Sequence, residues 1–398
     1  MNILYLALDA NCDGNFAEST HVLEVVRELR RRHRVILIAH SLPELRMQDD
    51  LEIAQILGIA GKVTPGIMLD IRLLSKLSSL IKRERIDVIY ERRLSPKISS
   101  SLSLITSVSS FLEVNGDISK EAALLGRAEQ TKSALNLMRS FVSRRLWRQL
   151  NGVVAVTNEI GTSVKEYYKL HDGNVHVITN GVNTSLFIPH PKQEAKMHLG
   201  LQPEAKVIGF SGQFFPWQGL DTLLDAFVHV RKNVGEVYLL MIGDGVLRDA
   251  LYRQATSIGL QKHILWMGCK PYQQIPSLLS SCDVGVVLKK GLDSFSPLKL
   301  YEYLSLGLPV VATRMPCFRF VEEHRFGILV PEGNAASSAN ALTEILNDEE
   351  WRKRVYREAR DYAVNNCSWE RVAWELQEIF SGCREQARTV TQPEQIRS

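Results

Sequence analysis

The chain has 398 residues, of which 45% are hydrophobic and 23% are charged, and its formal net charge is +4. This length predicts two or three domains, and this composition is typical of a soluble globular protein. The absence of a long repeat and of a low-complexity block excludes repeat and compositionally biased proteins.

No run of 18 apolar residues occurs, so no segment is expected to span a membrane. The apolar stretch from Met1 to Asp9 lacks a basic leader and a cleavage site, which favours a first strand over a signal peptide. The six cysteines form no C-x-x-C pair and no metal-binding spacing. We therefore expect a cytoplasmic protein with reduced thiols and no metal site.

The first half of the chain alternates predicted strands and helices. Residues 3–8 and 35–39 read as strands, and residues 20–30 between them as an amphipathic helix. This order begins a doubly wound parallel sheet, in which ligands bind at the carboxyl ends of the strands. Asn15, in the intervening loop, and His21, just inside the helix, are therefore candidates to contact a ligand. For His21 the alternative is a residue at the helix start that faces solvent.

A further predicted strand, residues 110–116, carries Glu113, Asn115 and Gly116 at its tip. Asn115 has hydrogen-bond donors and an acceptor but cannot titrate. We therefore treat it as a candidate site residue and not as a general base.

Basic charge is concentrated within residues 51–150, which contain 16 basic and 9 acidic residues. Residues 119–150 form a basic helical region with one apolar face. Such a helix suits an anionic membrane surface, a lipid phosphate or a polyanion, whereas core packing with a solvated basic face is the alternative.

The second half opens with a strand from Lys206, a glycine-bearing loop and a helix from about Asp221. The loop contains Gly212, Gln213 and Gln218. Glycine lets the backbone approach an anion, and a helix N-terminus favours one. The same pattern also occurs in α/β sheets that hold no ligand there.

The most informative stretch lies before the predicted strand 310–312. Residues 294–299 form a polar turn, and residues 300–306 a short helix that Gly307 ends. A turn that feeds a helix start presents unpaired backbone N–H groups, which suit a phosphate. Glu302 would lie further out and accept hydrogen bonds from sugar hydroxyls; a surface helix with a solvated glutamate is the alternative.

This stretch resembles the donor-site signature of GT-B glycosyltransferases, in particular glycosyltransferase family 4. The second glutamate of the family motif, Glu-x7-Glu, falls on Glu302, and the first falls on Ser294, beside Asp293. The Ser-Pro-Leu-Lys-Leu-Tyr-Glu-Tyr form resembles a variant of that motif. The resemblance extends over residues 1–382, with the matching pieces in the same order.

The resemblance implies an α/β fold of two Rossmann-like, doubly wound parallel-sheet domains that face each other across a cleft. The expected acceptor-side domain is 1–190, and the expected nucleotide-sugar domain is 191–367. A C-terminal helix, 368–382, is expected to pack back on the first domain, and 384–398 to be a disordered tail.

The resemblance also implies retaining transfer of a sugar without a metal or a cofactor. Glu302, Lys299 and Asn115 are then expected to act closest to the chemistry, and no nucleophile is assigned. The residues expected around the donor are Gly212, Gln213, Gln218, Gly243, Asp244, Lys270, Asp293, Ser294, Ser296, Pro297 and Leu298. Those expected on the acceptor side are Asn15, His21, Glu113 and Gly116.

One departure from the family concerns the loop that holds the donor diphosphate. The family usually has an arginine and a lysine there, and this chain has Gln213 and Gln218. Because charge-assisted hydrogen bonds are the strong ones, this loss should matter. We expect Lys299 to supply part of the missing charge.

The expected partners are a nucleotide-sugar donor, such as a UDP-sugar, and a glycan or lipid-linked acceptor in cell-surface polysaccharide or glycolipid synthesis. Peripheral contact with the inner face of an anionic membrane is expected as well, and a nucleic-acid partner is not. Two alternatives stay open. A non-catalytic nucleotide-sugar-binding relative would explain the missing arginine, lysine and first glutamate, and a sugar-nucleotide epimerase has a related architecture.

Overall fold

The computed structural model describes residues 1–11, 17–41, 71–92, 98–116, 145–291, 296 and 298–390. The chain divides into two compact units, one made of Met1–Thr179 with Trp369–Ser398 and the other of Asn180–Ser368. The division after Thr179 precedes the predicted one at residue 190.

The first unit is built on a parallel sheet whose described strands lie in the order β2-β1-β3-β4-β5-β6. They are β1 (Asn2–Asn11), β2 (Arg34–Ser41), β3 (Val88–Arg92), β4 (Ser109–Val114), β5 (Gly152–Ala155) and β6 (Val175–Val177). The α-helices described before residue 180 are α1 (Ala17–Arg30), α2 (Ile71–Arg83), α3 (Ser99–Thr106) and α4 (Asn158–Tyr168). The prediction of a doubly wound parallel sheet is confirmed here.

Helix α1 shows why the sequence folds in this way. Its apolar residues at helical spacing, Val22, Val25, Val26 and Leu29, are all buried. The helix begins at Ala17, three residues before the start predicted from the sequence.

The second unit has its own parallel sheet, in the order β12-β11-β10-β7-β8-β9. Its strands are β7 (Lys206–Ser211), β8 (Val237–Ile242), β9 (Ile264–Gly268), β10 (Val284–Val287), β11 (Val310–Thr313) and β12 (Gly327–Val330). Its helices are α5 (Lys192–His198), α6 (Leu220–Val234), α7 (Arg248–Ser257), α8 (Ile275–Leu279), α9 (Leu298–Ser305), α10 (Arg319–Glu323), α11 (Ala335–Asn347) and α12 (Glu349–Asn366). The strand order reverses between β7 and β10, and in open α/β sheets ligands bind outside the carboxyl ends of the strands at such a point.

Helix α9 is held in place by apolar residues at helical spacing and is followed by a glycine that the backbone requires. Leu300, Tyr303 and Leu304 are fully buried, as their spacing predicts. Gly307 ends the helix at φ +70°, and a Cβ atom there would lie 2.4 Å from the carbonyl oxygen of Tyr356. The position therefore requires glycine for both conformation and space.

The last helix, α13 (Trp369–Val390), belongs to the first unit. The buried ring of Phe380 lies 5.4 Å from that of Tyr90 and 4.8 Å from that of Phe111, measured between centroids. Residues 384–390, predicted as part of a disordered tail, continue this helix, and no proline between Trp369 and Pro393 interrupts it. Among the described residues, no helix combines the length and the apolarity that a bilayer crossing requires.

Candidate functional site

The strand reversal in the second unit brings two chain segments together at the carboxyl edge of its sheet. Gly212 follows β7, and Lys289 follows β10. Helix α9 then leads back into the sheet at β11. The candidate residues after β7 and on α9 therefore gather at the place where this fold binds ligands.

Two glycines line this edge at very close range. Gly243 has φ +135°, and a Cβ atom there would lie 2.0 Å from the carbonyl oxygen of Gly212. Gly212 has φ +137°, and its Cβ would lie 2.8 Å from Nζ of Lys299. A side chain at Gly243 would displace the backbone of Gly212, and the positive φ of both residues favours glycine, which keeps the loop beside the ammonium group.

Gln218 is a buried residue at the end of that loop, and two lysines converge on it. Nζ of Lys299 donates to its Oε1 over 3.0 Å, and Nζ of Lys289 donates to the same oxygen over 3.1 Å. The ammonium group of Lys299 also lies 4.0 Å from the centroid of the Phe210 ring, a cation–π contact. A neutral side chain thus holds two cationic groups at one point.

Both lysine pKa values respond to this environment. Burial lowers the pKa of Lys289 to about 7. Burial and then the charge of Lys289 hold the pKa of Lys299 well below its usual range, against the opposite effect of Glu302. Burial therefore favours the neutral form of both amines, and for Lys289 it brings the pKa into the neutral range.

Lys289 is a site residue that sequence reasoning missed. The available signal was its place at the end of a buried strand, where polar residues of a parallel sheet meet a ligand. Its position is fixed by Thr313 at the end of β11, whose hydroxyl accepts from the Lys289 backbone N–H over 2.8 Å.

Glu302 lies on α9, three residues beyond Lys299, and is half-buried. Its Oε1 accepts a hydrogen bond from the hydroxyl of Tyr272 over 3.1 Å. Burial raises the pKa of Glu302 to about 7, against the opposing effects of Tyr272 and Lys299. The alternative of a fully solvated surface glutamate is therefore wrong.

The start of α9 presents polar groups to the same region. Ser296 Oγ is buried and has no hydrogen-bond partner among the described residues. The backbone N–H of Leu298 donates to the Ser296 carbonyl over 3.1 Å, so it is engaged within the turn. Asp293, Ser294 and Pro297, which were predicted to contact the donor, lie outside the described residues.

The remaining donor-side candidates lie at neighbouring strand ends. Asp244 Oδ1 accepts from the backbone N–H of Gly245 over 2.7 Å, and its Oδ2 lies 3.1 Å from Nη1 of Arg248. These contacts shape the turn after β8. Gln213 follows Gly212 in the loop, and Lys270 follows β9 by two residues.

A second polar cluster lies at the carboxyl edge of the sheet in the first unit. Its centre is Glu113, at the end of β4, whose Oε2 accepts from the hydroxyl of Tyr90 over 2.6 Å. Its Oε1 lies 2.7 Å from Nε2 of His21 and accepts from the amide of Asn115. The structure thus brings together three of the residues predicted for the acceptor side and the site.

The surroundings of Glu113 favour its ionised form. Burial alone would raise its pKa, but the adjacent His21, Arg92 and Tyr90 hold the pKa of Glu113 down to about 2. His21 is only 3% exposed, so the solvent-facing alternative is wrong for this residue. The cause is its place on α1, where it packs edge-on against Trp369 with ring centroids 5.1 Å apart.

The two other residues predicted for the acceptor side are Gly116 and Asn15. Gly116 follows Asn115 and is partly exposed, whereas Asn15 lies outside the described residues, as do residues 117–144 of the predicted basic region. Among the described residues, no group of three or more His, Cys, Asp or Glu side chains could hold a metal ion.

Comparison with known proteins matches two family models to this chain. The model for glycosyltransferase family 4 matches residues 19–186, and the model for glycosyl transferases group 1 matches residues 191–362. Together they cover most of the chain.

Similar proteins extend these matches. A D-inositol 3-phosphate glycosyltransferase of Corynebacterium urealyticum is 28% identical over 60% of this chain and 59% of its own length. A phosphatidyl-myo-inositol mannosyltransferase of Mycobacterium leprae is 31% identical over 51% of this chain and 52% of its own length. The chain thus matches little more than half the length of these relatives.

A solved structure matches nearly the whole chain. Anabaena HepE, in complex with UDP-glucose, has a TM-score of 0.71 at 20% identity, over 96% of this chain and all of that one. At this level of identity the likeness shows the fold, which is the predicted GT-B fold.

Proposed function

Since the chain belongs to glycosyltransferase family 4, we propose that it is a retaining glycosyltransferase. It takes a sugar from a nucleotide-sugar donor, a UDP-sugar, and transfers it to a glycan or lipid-linked acceptor. The second unit holds the donor and the first unit provides residues for the acceptor.

The observation that carries this proposal is the set of groups at the strand reversal between β7 and β10. Breaking a sugar–phosphate bond leaves negative charge on the diphosphate, and prearranged donors at that point lower the barrier. The ammonium group of Lys299, held by Gln218 and Phe210, is such a donor. The hydroxyl of Ser296, for which the described part of the chain offers no hydrogen-bond partner, is another.

Glu302 has a separate role in the proposal. A carboxylate repels phosphate but accepts hydrogen bonds from hydroxyl groups, so it binds the ribose of the nucleotide. The hydroxyl of Tyr272 holds its carboxylate in position over 3.1 Å. Gly243, Asp244 and Lys270, at the ends of β8 and β9, then lie on the nucleotide side of the site.

In the first unit, Asn115 is the group proposed to reach the substrate. His21 and Glu113 are 3% and 2% exposed, so neither touches the acceptor in this proposal. Glu113 fixes the amide of Asn115, and His21 in turn holds Glu113. Gly116 and Asn15 complete the proposed acceptor side.

The proposed acceptor and place of action follow from one of these relatives. One relative is named for phosphatidyl-myo-inositol, which supports a lipid-linked acceptor. We accordingly propose that the protein works in the cytoplasm, at the inner face of the membrane, in polysaccharide or glycolipid assembly. Vesicle flotation with anionic and neutral lipids tests this: binding to neither contradicts it.

Titration calorimetry with UDP, GDP, ADP and dTDP tests the donor site. We expect one nucleotide to bind, and Glu302→Ala to abolish that binding without unfolding the protein. Glu323→Ala, at an exposed glutamate of α10 in the same unit, is the matched control and should bind as the unaltered protein does.

The outcomes separate the alternatives. Binding of no nucleotide contradicts the proposed function. Nucleotide binding without turnover of the matching nucleotide-sugar, with any acceptor tested, favours the non-catalytic relative. A changed sugar-nucleotide formed without an acceptor favours the epimerase.

A further inference from the structure

The diphosphate loop of this chain has lost its usual cations, and two lysines from elsewhere in the sequence meet at Gln218 instead. Lys299 comes from α9, and Lys289 comes from the end of β10. Both donate to the single oxygen Gln218 Oε1, over 3.0 and 3.1 Å.

Two ammonium groups on one neutral oxygen repel each other, and burial removes the water that would screen them. Lys289 is 5% exposed and Gln218 is 9% exposed. An amide oxygen carries only a partial charge, so it cannot neutralise both lysines. A doubly negative ligand at this point would do so.

We propose that Lys289 and Lys299 together bind the diphosphate of the donor, with Gln218 as the neutral group that holds them, and that donor binding is coupled to proton uptake by this pair. This rests on the proposed function and deepens it: Lys289 becomes a binding residue, and the loss of the loop cations is explained by their replacement.

Two other ionisable groups among the described residues raise the pKa values of the pair. Glu302, on α9, raises the pKa of Lys299, and Cys317, in the turn after β11, raises the pKa of Lys289. Burial outweighs both effects, so the pKa values of both lysines are lowered. An incoming diphosphate adds a much stronger opposite charge and raises both pKa values.

The direction of the coupling follows. Because the bound state holds more protons than the free state, affinity for a nucleoside diphosphate falls as pH rises through the pKa of the free pair. Because the pKa of Lys289 is about 7 in the free protein, binding at about pH 8 should take up about one proton on this residue, and that uptake should shrink at about pH 6, where Lys289 is already mostly charged.

The matched experiment uses two neighbouring lysines. Lys289→Met removes the buried ammonium group, whereas Lys290→Met removes an exposed one that pairs with Asp221 over 2.7 Å. UDP, GDP, ADP and dTDP are titrated at about pH 6 and pH 8, in buffers of different ionisation enthalpy, so that proton uptake is measured directly. We expect Lys289→Met to weaken binding of the nucleotide that the protein prefers by about 10- to 100-fold and to lose most of the uptake. Lys290→Met should change neither.

Gln218→Glu provides a second variant of the same shape. A carboxylate there pairs with both lysines permanently, so we expect a higher melting temperature, weaker diphosphate binding and no proton uptake. This variant keeps the test decisive if Lys289→Met does not fold.

The experiment distinguishes failure of this inference from failure of the proposed function. If a nucleotide binds and Lys289→Met matches the unaltered protein in affinity and uptake, the lysine pair does not bind the diphosphate, while the donor site stands. If none of the four nucleotides binds at either pH, the proposed function and this inference are both overturned.

Discussion

Nε2 of His21 lies 2.7 Å from Oε1 of Glu113, and both side chains are buried. The two residues come from α1 and β4, so their contact ties the first helix to the carboxyl edge of the sheet. Glu113 also accepts from Tyr90, which places a fixed negative charge inside the first unit.

Glu113→Gln should destabilise the protein in a pH-dependent way. The pKa of this carboxyl is about 2 in the folded protein against an ordinary value of 4.5, so its ionised form stabilises the fold above about pH 4.5, and that contribution is lost as pH falls toward 2. We expect a loss of up to about 3 kcal/mol near pH 7, and a smaller one near pH 3.5. Urea unfolding at both pH values measures it. Glu166→Gln, at an exposed glutamate of α4, is the control, and an equal loss at both pH values would contradict the prediction.

The effect of Glu302→Gln on the stability of the protein should change with pH in the opposite direction. Folding raises the pKa of Glu302 from 4.5 to about 7, so the folded protein binds more protons than the unfolded one in this range. The stability of the unaltered protein therefore falls as pH rises from about 5 to 8, whereas a glutamine does not titrate. Relative to the unaltered protein, the variant should gain roughly 1–3 kcal/mol over this interval, measured by thermal unfolding without nucleotide. A gain at low pH that disappears at high pH would refute this sign.

Asp283, just before β10, should be a main support of the second unit. Its Oδ2 accepts from Lys196 Nζ over 3.0 Å and from the Val207 N–H over 2.9 Å, while Lys192 reaches Oδ1 over 3.1 Å. Asp283→Asn leaves the buried Lys196 without its counter-charge and should cost about 3 kcal/mol or more. Lys192→Met removes a more exposed partner and should cost less than about 1 kcal/mol. Equal losses in urea unfolding would show that burial does not set the strength of this cluster.

Gly243→Ala should impair the donor site through the backbone. The added methyl group would lie 2.0 Å from the Gly212 carbonyl oxygen, so the loop that faces Lys299 must move. We expect nucleotide binding to be lost or greatly weakened in calorimetry. Gly235→Ala is a matched control, because that residue has φ +79° but nothing within 4 Å of its Cβ position. It should cost about 1 kcal/mol of stability and leave nucleotide affinity unchanged.

Short-range sequence patterns predicted many of the helices and strands. They could not predict contacts between residues that are far apart in the sequence. Leu300, Tyr303 and Leu304 follow a helical period, and Gly307 is a stop signal, so α9 could be predicted from the sequence. Lys289 could not be assigned a partner, because Gln218 lies 71 residues away and meets it only when β10 pairs with β7. His21 illustrates the same limit: its helix was predicted, but its burial depends on Trp369 from the other end of the chain.

The first unit is assembled from both ends of the sequence, and this has a consequence for its synthesis. As the chain leaves the ribosome, residues 180–368 are complete before α13 emerges. Until then, Tyr90 and Phe111 lack the ring of Phe380 that covers them. The first unit therefore starts to be translated before the second unit but can complete its core only after it. A nascent chain stalled before Trp369 exposes apolar surface that α13 would cover, and such surface promotes aggregation or chaperone binding.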